Sequence, residues 1–345
     1  MELWKPTGIS FSMGGSHVVA LLGVLARLMD SGVIDDVRNW YGCSAGSICA
    51  FLGALGVSPT WIREMITYFD MRVVAEIDEG RVADFLNSWG INSGDGINEI
   101  IGRFLDTWEP GSSAWTFADL TAKRPGYSLT ITATNLTEGT LAVFSTGKTP
   151  GMRILDAIRA SSCIPLLITP WTDARGNMYC DGGAMEYFPW SCVRDKRRTL
   201  VVVTSDLGIC RRKLVRKNIR NIYEYMDRIM KLLQQNQWSD VPKYWIAINN
   251  ASVDPLDFNL EKEERLALFQ DGISAASGWL KFRETLKQET AESLPPSGGQ
   301  CTLFSSPPSL NKTSGTRLSH NPPPPPCHPQ GLHSEGTQYC RRWSL

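Results

Sequence analysis

The strongest constraint on the fold of this 345-residue chain is the alternation of short apolar strands with helical segments. GISFS at 8–12 precedes a helical segment at 17–32, and NWYGC at 39–43 runs directly into small apolar residues from Ala45. TLVVVTSD, from Thr199, is a continuous β-branched run typical of a parallel strand that is buried on both faces. This alternation predicts an α/β fold, a three-layer α/β/α arrangement with a mainly parallel central sheet.

Further segments extend this alternation along the chain. Ser58-Pro59 has the residues of a helix N-cap and first turn. YSLTITATN and LAVFST, separated by LTEGT, predict a β-hairpin. Two amphipathic segments flank the loop NSGDG between residues 79 and 108. The remaining predicted elements are a helix at 153–162, strands MYCD at 178–181 and KYWIAINN at 243–250, and a closing helix at 261–284.

Composition is that of a globular protein with a substantial core. The apolar share is 42% and the charged share 20%. The net charge is zero, so electrostatics give no support to a nucleic-acid partner. The nine cysteines have no CxxC or similar ligand spacing, which indicates reduced core thiols and neither a disulfide framework nor a metal site.

The C-terminal segment differs in composition from the rest. Ten of the twenty prolines lie from Pro295 onward, and Glu335 is the single acidic residue there. The segment has no helical or strand period, so we predict a folded domain at 7–285 and a Pro-rich, disordered tail at 290–345. The run PPPPP could dock in an SH3- or WW-type groove. The alternative is an unstructured end without a partner.

The N-terminus and the length of the apolar runs indicate the cellular compartment of the protein. MELWKPTGISFSMGG has no basic segment followed by an apolar run, so no signal peptide is expected. No stretch reaches the roughly 18 apolar residues that a membrane span needs. The sequence therefore predicts a cytoplasmic protein that is not secreted, has no transmembrane segment and could contact a membrane peripherally.

GCSAG at 42–46 fits the G-x-S-x-G pattern of a nucleophile elbow. In such a turn a strand passes sharply into a helix and holds the serine hydroxyl clear of the sheet. The helix N-terminus then favours the negative charge that develops during attack. Ser44 is accordingly a candidate nucleophile; the alternative is a serine that only caps the helix.

A serine nucleophile needs a proton acceptor, and the chain has four histidines, at 17, 320, 328 and 333. A catalytic histidine must be held by packing and by an orienting carboxylate, which a Pro-rich tail does not supply. His17 opens a helix, where the dipole disfavours its charged form. Asp181, at the end of MYCD and followed by two glycines, is the carboxylate candidate. If MYCD is a parallel strand, Asp181 and Ser44 meet at one sheet edge. An Asp-Gly turn is the alternative.

Three motifs in register resemble the patatin-like phospholipase family: SMGGSH at 12–17, GCSAG at 42–46 and DGG at 181–183. IRASSCIPLLITP and FNLEKEERLALFQDGISAA are also similar to family sequences, and the resemblance covers roughly residues 7 to 285. It implies a Ser–Asp dyad without histidine, with Ser44 as nucleophile, Asp181 as proton acceptor and an oxyanion hole at Gly14 and Gly15. The glycines that support these motifs are Gly42, Gly46, Gly182 and Gly183.

The resemblance implies hydrolysis of lipid acyl esters through an acyl-enzyme intermediate, at a membrane or lipid-droplet surface, with no metal or organic cofactor. The glycine-rich turn departs from the family pattern. Met13 replaces an early glycine, His17 the basic residue and Val18 the final glycine. An alternative is therefore a catalytically impaired relative that binds lipid or a protein. A soluble esterase that uses a tail histidine is a third hypothesis.

Two surface features could contact a lipid surface. The amphipathic segments at 80–107 lie where family members carry lid-like elements. RRKLVRKNIR at 211–220 is strongly basic and precedes a predicted helix, which would suit an anionic membrane or be a solvated face. Asp95 in NSGDG lacks calcium-ligand spacing, so a turn is predicted there.

Overall fold

The computed structural model describes residues 4–204 except 77, residues 242–248 and 253–292, and a few single positions between 219 and 232. The basic segment at 211–220, apart from position 219, and the tail from 293 onward lie outside the described residues. The division into a domain at 7–285 and a tail at 290–345 stays a prediction.

Ten strands are described. Their bounds are β1 Gly8–Phe11, β2 Asn39–Cys43, β3 Gly90–Asn92, β4 Ser128–Asn135, β5 Thr140–Ser145, β6 Leu166–Ile168, β7 Trp171–Thr172, β8 Met178–Asp181, β9 Thr199–Val203 and β10 Trp245–Ala247.

The α-helices of the described ranges are α1 Val18–Asp30, α2 Ala45–Leu55, α3 Pro59–Tyr68, α4 Arg72–Ala75, α5 Glu79–Ala83, α6 Phe85–Ser88, α7 Asp95–Trp108, α8 Phe117–Lys123, α9 Ile154–Ser161 and α10 Lys262–Glu292. Short 3₁₀ turns at Gly15–His17 and Gly182–Ala184 belong to the site described below. None of the helices within the described ranges has the length and apolar character to cross a bilayer.

The central sheet has the strand order β10-β9-β1-β2-β4-β8-β7, with β5 also paired to β4. The five strands from β10 to β4 run parallel, whereas β5, β8 and β7 pair antiparallel. The α/β fold with a mainly parallel central sheet is therefore confirmed.

The position of β9 in the sheet explains why its sequence is apolar throughout. Leu200 and Val202 belong to the large core that also contains α1 and α2. Val201 and Val203 face the other way and pack with Tyr187, in a second apolar cluster. Because both faces are covered, as a three-layer arrangement requires, the strand shows no polar alternation.

Several elements differ from the sequence predictions. β8 is antiparallel to β4, so the expectation that MYCD is a parallel strand is wrong. A separate two-stranded sheet of β3 and β6, and the two-residue strand β7, are not predicted. The first amphipathic segment near residue 80 is divided into α5, α6 and β3, and the closing helix continues to Glu292.

Candidate active site

Ser44 sits in the sharp turn from β2 to α2, with φ 51° and ψ −126°. A serine rarely adopts a positive φ, so the surrounding structure must hold this backbone. Two glycines allow the turn to pack closely. A Cβ on Gly42 would lie 2.3 Å from the Gly46 carbonyl oxygen, and one on Gly46 would lie 2.5 Å from the carbonyl oxygens of Phe11 and Ser12. The close backbone approach at both positions excludes a side chain there.

Asp181 reaches Ser44 by a route that the sequence did not predict. A strand has two hydrogen-bonding edges, and β5 occupies one edge of β4. On the other edge, β2 pairs as far as Thr132, and β8 pairs antiparallel from Ala133 onward. The ends of β2 and β8 therefore face each other along the same edge of β4. Asp181, the last residue of β8, stands opposite Ala133, one position beyond the level at which β2 ends.

The Ser44 hydroxyl donates a hydrogen bond to Asp181 Oδ2 at an Oγ–Oδ2 distance of 2.5 Å. The Gly183 N–H donates to Asp181 Oδ1 at 2.8 Å and so fixes the carboxylate. Ser44 is 3% exposed and Asp181 1%. Gly182 and Gly183 permit this packing, because a Cβ would meet the Thr132 carbonyl oxygen in one case and the Met13 sulfur in the other.

Burial raises the pKa of Asp181 from 3.8 to about 6, although the hydrogen bonds from Ser44 and Gly183 act in the opposite direction. Desolvation disfavours the charged carboxylate, and the two donors stabilise it. The carboxylate is therefore more basic than an exposed aspartate. That is the property a group needs to accept a proton from a hydroxyl near neutral pH.

Ser161 holds the strained backbone of Ser44. The Ser44 N–H donates to Ser161 Oγ at 2.7 Å, and the Ser161 hydroxyl donates to the Thr132 carbonyl at 2.7 Å. One buried hydroxyl thus joins α9 to the turn after β2 and to β4. Sequence reasoning missed this role. IRASSCIPLLITP was noted only as a stretch of family resemblance, because a serine on a helix carries no motif of its own.

The glycine-rich turn after β1 contains Gly14 and Gly15. Gly15 has φ +54°, and a Cβ on it would lie 2.0 Å from the Pro255 carbonyl oxygen, so a larger residue is excluded. The next residue, Ser16, donates its N–H to that same carbonyl at 2.8 Å. Within the described part of the chain, neither the Gly14 nor the Gly15 N–H has a hydrogen-bond acceptor. Gly15 also lines the pocket that contains Ser44.

The three residues that depart from the family pattern lie in different environments. Met13 packs against the second apolar cluster, beside Tyr187 and Phe188, and does not line the pocket. A ring nitrogen of His17 lies 3.0 Å from the Val253 carbonyl oxygen. Val18, the first residue of α1, is an apolar wall residue of the pocket. The Ser44 hydroxyl hydrogen-bonds Asp181, so the structure does not pair it with His17.

The space around Ser44, counted together with the open solvent at the mouth of the pocket, amounts to about 430 Å³. Ser44 and Ser162 are its two polar side chains, and Ser162 Oγ is buried without a hydrogen-bond partner among the described residues. Its other lining side chains are apolar, among them Val18, Ile48, Phe69, Val74, Ile97 and Ile164. Such a cavity suits a hydrocarbon chain attached to a polar reacting group.

Two further sequence predictions concern the loop NSGDG and possible metal ligands. NSGDG is a turn in which the Gly94 N–H donates to Asn92 Oδ1 at 2.6 Å, and Asp95 begins α7. Among the residues that the structure describes, no three His, Cys, Asp or Glu side chains are grouped as a metal ion would require.

Comparisons with known proteins identify the family of the chain. The family model for the patatin-like phospholipase matches residues 9–191. An uncharacterized protein of Acanthamoeba polyphaga mimivirus is 23% identical over 77% of this chain and 91% of its own length. A probable lipid hydrolase of Invertebrate iridescent virus 6 is 30% identical over 52% of this chain and 60% of its own.

Similar solved structures include VipD from Legionella pneumophila, with a TM-score of 0.48 and 15% identity over 81% of this chain and 67% of VipD. Human GIVD cytosolic phospholipase A2 has a TM-score of 0.44 and 12% identity over 84% of this chain and 60% of its own. The family model spans more than half of the 345 residues and includes both Ser44 and Asp181. The chain therefore belongs to the patatin-like phospholipase family.

Proposed function

We propose that the protein is a lipid acyl hydrolase that cleaves carboxylic ester bonds with a Ser44–Asp181 dyad. The observation that carries this proposal is the 2.5 Å contact of the Ser44 hydroxyl with a buried carboxylate. Family membership and the named lipid hydrolase among the relatives support the general activity. The apolar pocket supports a fatty acyl chain as the group that binds beside Ser44.

The first half-reaction transfers the acyl group to the enzyme. Ser44 Oγ attacks the ester carbonyl carbon while its proton passes to Asp181 Oδ2. The N–H groups of Gly14 and Gly15 stabilise the negative oxygen of the tetrahedral intermediate in this proposal, and removing one such donor typically costs about 10²–10³ in rate. The carbon–oxygen bond then breaks, and the leaving alcohol takes the proton from Asp181.

The second half-reaction restores the enzyme. Water attacks the acyl carbon, Asp181 accepts a proton from that water, and Ser44 Oγ regains a proton as the fatty acid leaves. The Gly183 N–H keeps the carboxylate in place through both halves, because its bond is to Oδ1 and leaves Oδ2 for the proton. Neither step needs a metal or an organic cofactor. In this proposal the enzyme binds its lipid substrate at a membrane or lipid-droplet surface.

A fluorophosphonate probe tests the proposal, because it reacts covalently with activated serines. We expect labelling of the wild-type protein, none of Ser44→Ala, and a rate at least about 10²-fold lower for Asp181→Asn. Ser191→Ala and Asp173→Asn are matched controls, since both side chains belong to hydrogen-bonded groups away from the pocket. Hydrolysis of a fatty acyl ester should follow the same order.

The impaired relative that binds without turnover gives a different result. Folded wild-type protein would then fail to react with the probe, and Ser44→Ala would leave lipid binding unchanged. The unusual glycine-rich turn favours this second candidate, and the placement of Met13 outside the pocket counts against it. Absence of labelling in folded protein would refute the hydrolase.

A further inference from the structure

A group of exposed apolar side chains lies on the short helices α5 and α6 and on strand β6. Leu86 is 86% exposed, Val82 and Trp89 are each 48% exposed, and Leu166 is 39% exposed. Single exposed apolar residues are ordinary, but a group confined to adjacent short elements marks an interaction surface. We call these four residues the apolar ridge.

The backbone holds the apolar ridge together. Trp89 immediately precedes β3, and Leu166 stands opposite Gly90 in the parallel pairing of β3 with β6. Paired strands lie about 4.8 Å apart, so the two side chains start from neighbouring positions. The Trp89 indole N–H donates to the Leu86 carbonyl at 2.8 Å, which lays the ring along α6.

Trp89 and Leu166 both have left-handed backbones, with φ 53° and 65°. Bulky residues rarely adopt this conformation, and it persists only where the surrounding structure imposes it. Trp89 ends α6 as a left-handed cap, where its N–H donates to the Phe85 carbonyl at 2.9 Å, whereas no helix end accounts for the backbone of Leu166. A strained position that presents an apolar side chain to solvent points to a function at the surface.

The apolar ridge is close in sequence to residues that line the pocket at Ser44. Ile164 and Ile168, which flank Leu166 at two residues on either side, line the pocket. Val74, on α4, lines it as well, and the chain passes from there to α5 within a few residues. Contact of the ridge with a lipid surface would bring these lining residues near that surface.

The charges around the ridge are mainly acidic. Glu76, Asp78, Glu79 and Asp84 are exposed, against Arg72 and Arg81 in the same segment. Arg72 pairs with Asp70 at 2.8 Å and Arg81 with Asp78 at 3.4 Å, so neither arginine pairs with Glu76, Glu79 or Asp84. An acidic border repels the negative surface of a membrane rich in phosphatidylserine and is indifferent to a zwitterionic one.

We propose that the apolar ridge docks the protein on an electrically neutral lipid surface and places the pocket entrance at that surface. This inference rests on the proposed lipid hydrolase function, and it adds both the surface of contact and the preferred charge of the lipid. Leu86 and Trp89 enter the interface, while the acidic border stays in the aqueous layer.

Vesicle flotation tests the proposal without depending on catalysis when every variant carries Ser44→Ala in the full chain. We expect binding to phosphatidylcholine vesicles and an approximately tenfold weaker partition for Leu86→Asp. Leu136→Asp is the matched control, because Leu136 is a 49% exposed leucine in the β4–β5 turn. It should bind within about twofold of its parent. Equal loss in both variants, or no vesicle binding at all, overturns the proposal.

The charge preference has its own test. Adding phosphatidylserine should weaken binding at low salt, and the double variant Glu76→Gln/Glu79→Gln should reduce that difference, as should raised salt. Tighter binding to anionic vesicles that persists in the double variant contradicts a neutral surface. A dimer of the free protein that Leu86→Asp abolishes would instead assign the ridge to a second copy. Probe labelling at Ser44 decides the proposed function separately, whatever the vesicles show.

Discussion

Asp181 is a carboxylic acid whose pKa is higher in the folded protein than in the unfolded chain, about 6 against 3.8. Between these values the folded state binds more protons, so this group makes the free energy of unfolding fall as pH rises. From pH 4.5 to 7.5 we expect the wild type to lose about 2 kcal/mol relative to Asp181→Asn. Urea unfolding of both proteins at the two pH values measures this difference.

Activity should change in the opposite direction over the same interval. The proposed proton transfer needs ionised Asp181, so hydrolysis should rise as pH increases through about 6 and level off above it. The protein would thus be most active where this carboxylate destabilises it. Parallel unfolding profiles for wild type and Asp181→Asn would show that Asp181 does not titrate in this range.

At the residue scale, the motifs identified the two proposed reacting groups but not the residues that hold them. GCSAG and DGG led to Ser44 and Asp181, because close strand–helix and strand–turn contacts demand glycines at fixed spacing. Ser161 had no such signature: its partners, the Ser44 N–H and the Thr132 carbonyl, come from distant strands. The contact of Ser44 with Asp181 was predicted for the wrong reason, since a four-residue strand carries no sign of its direction.

At the element scale, helices α1 and α10 approach each other backbone to backbone. A Cβ on Gly23 would lie 2.1 Å from the Phe269 carbonyl oxygen, and one on Gly272 would lie 1.9 Å from the Ala20 carbonyl oxygen. Gly272→Ala must therefore separate two long helices, and we expect it to destabilise the protein by about 3 kcal/mol. Urea unfolding of the variant measures the effect.

Gly102→Ala is the control for this crossing. Gly102 is also a buried glycine within a helix, α7, but its added Cβ would lie 3.3 Å from the half-buried Ser113 Cβ. Since alanine also has the better helix propensity, this variant should remain within about 1 kcal/mol of the wild type. Equal destabilisation by both substitutions would mean that the crossing is not specially close.

The length of an element decided whether its sequence predicted it. α1, α2, β4 and β9 have long apolar patterns, and their sequences identified them. β3, β6 and β7 have three residues or fewer, which is too short for a period to show. β3 and β6 are also far apart in sequence, so their pairing depends on the whole fold. The apolar ridge, which this small sheet supports, could not be foreseen for that reason.

At the scale of the whole molecule, two apolar clusters cover opposite faces of the sheet, and the altered glycine turn contributes Val18 to one and Met13 to the other. The large core contains α1, α2 and α7, and the pocket opens among their side chains. Met13 packs into the smaller cluster on the other face. Of the three residues that depart from the family pattern, Met13 is thus accommodated on the side of the sheet away from the pocket, whereas Val18 lines the pocket.

Truncation tests whether the proposed nucleophile, Ser44, depends on the C-terminal segment. Three of the four histidines lie beyond residue 292, whereas the Ser44 hydroxyl already has a carboxylate acceptor. We expect a chain that ends at Glu292 to react with the fluorophosphonate probe within about twofold of the full-length rate and to keep its melting temperature. A truncated protein that melts normally and no longer reacts would instead place a tail histidine at the serine. Because the melting temperature reports on folding and the probe on the serine, the two readouts together distinguish these results.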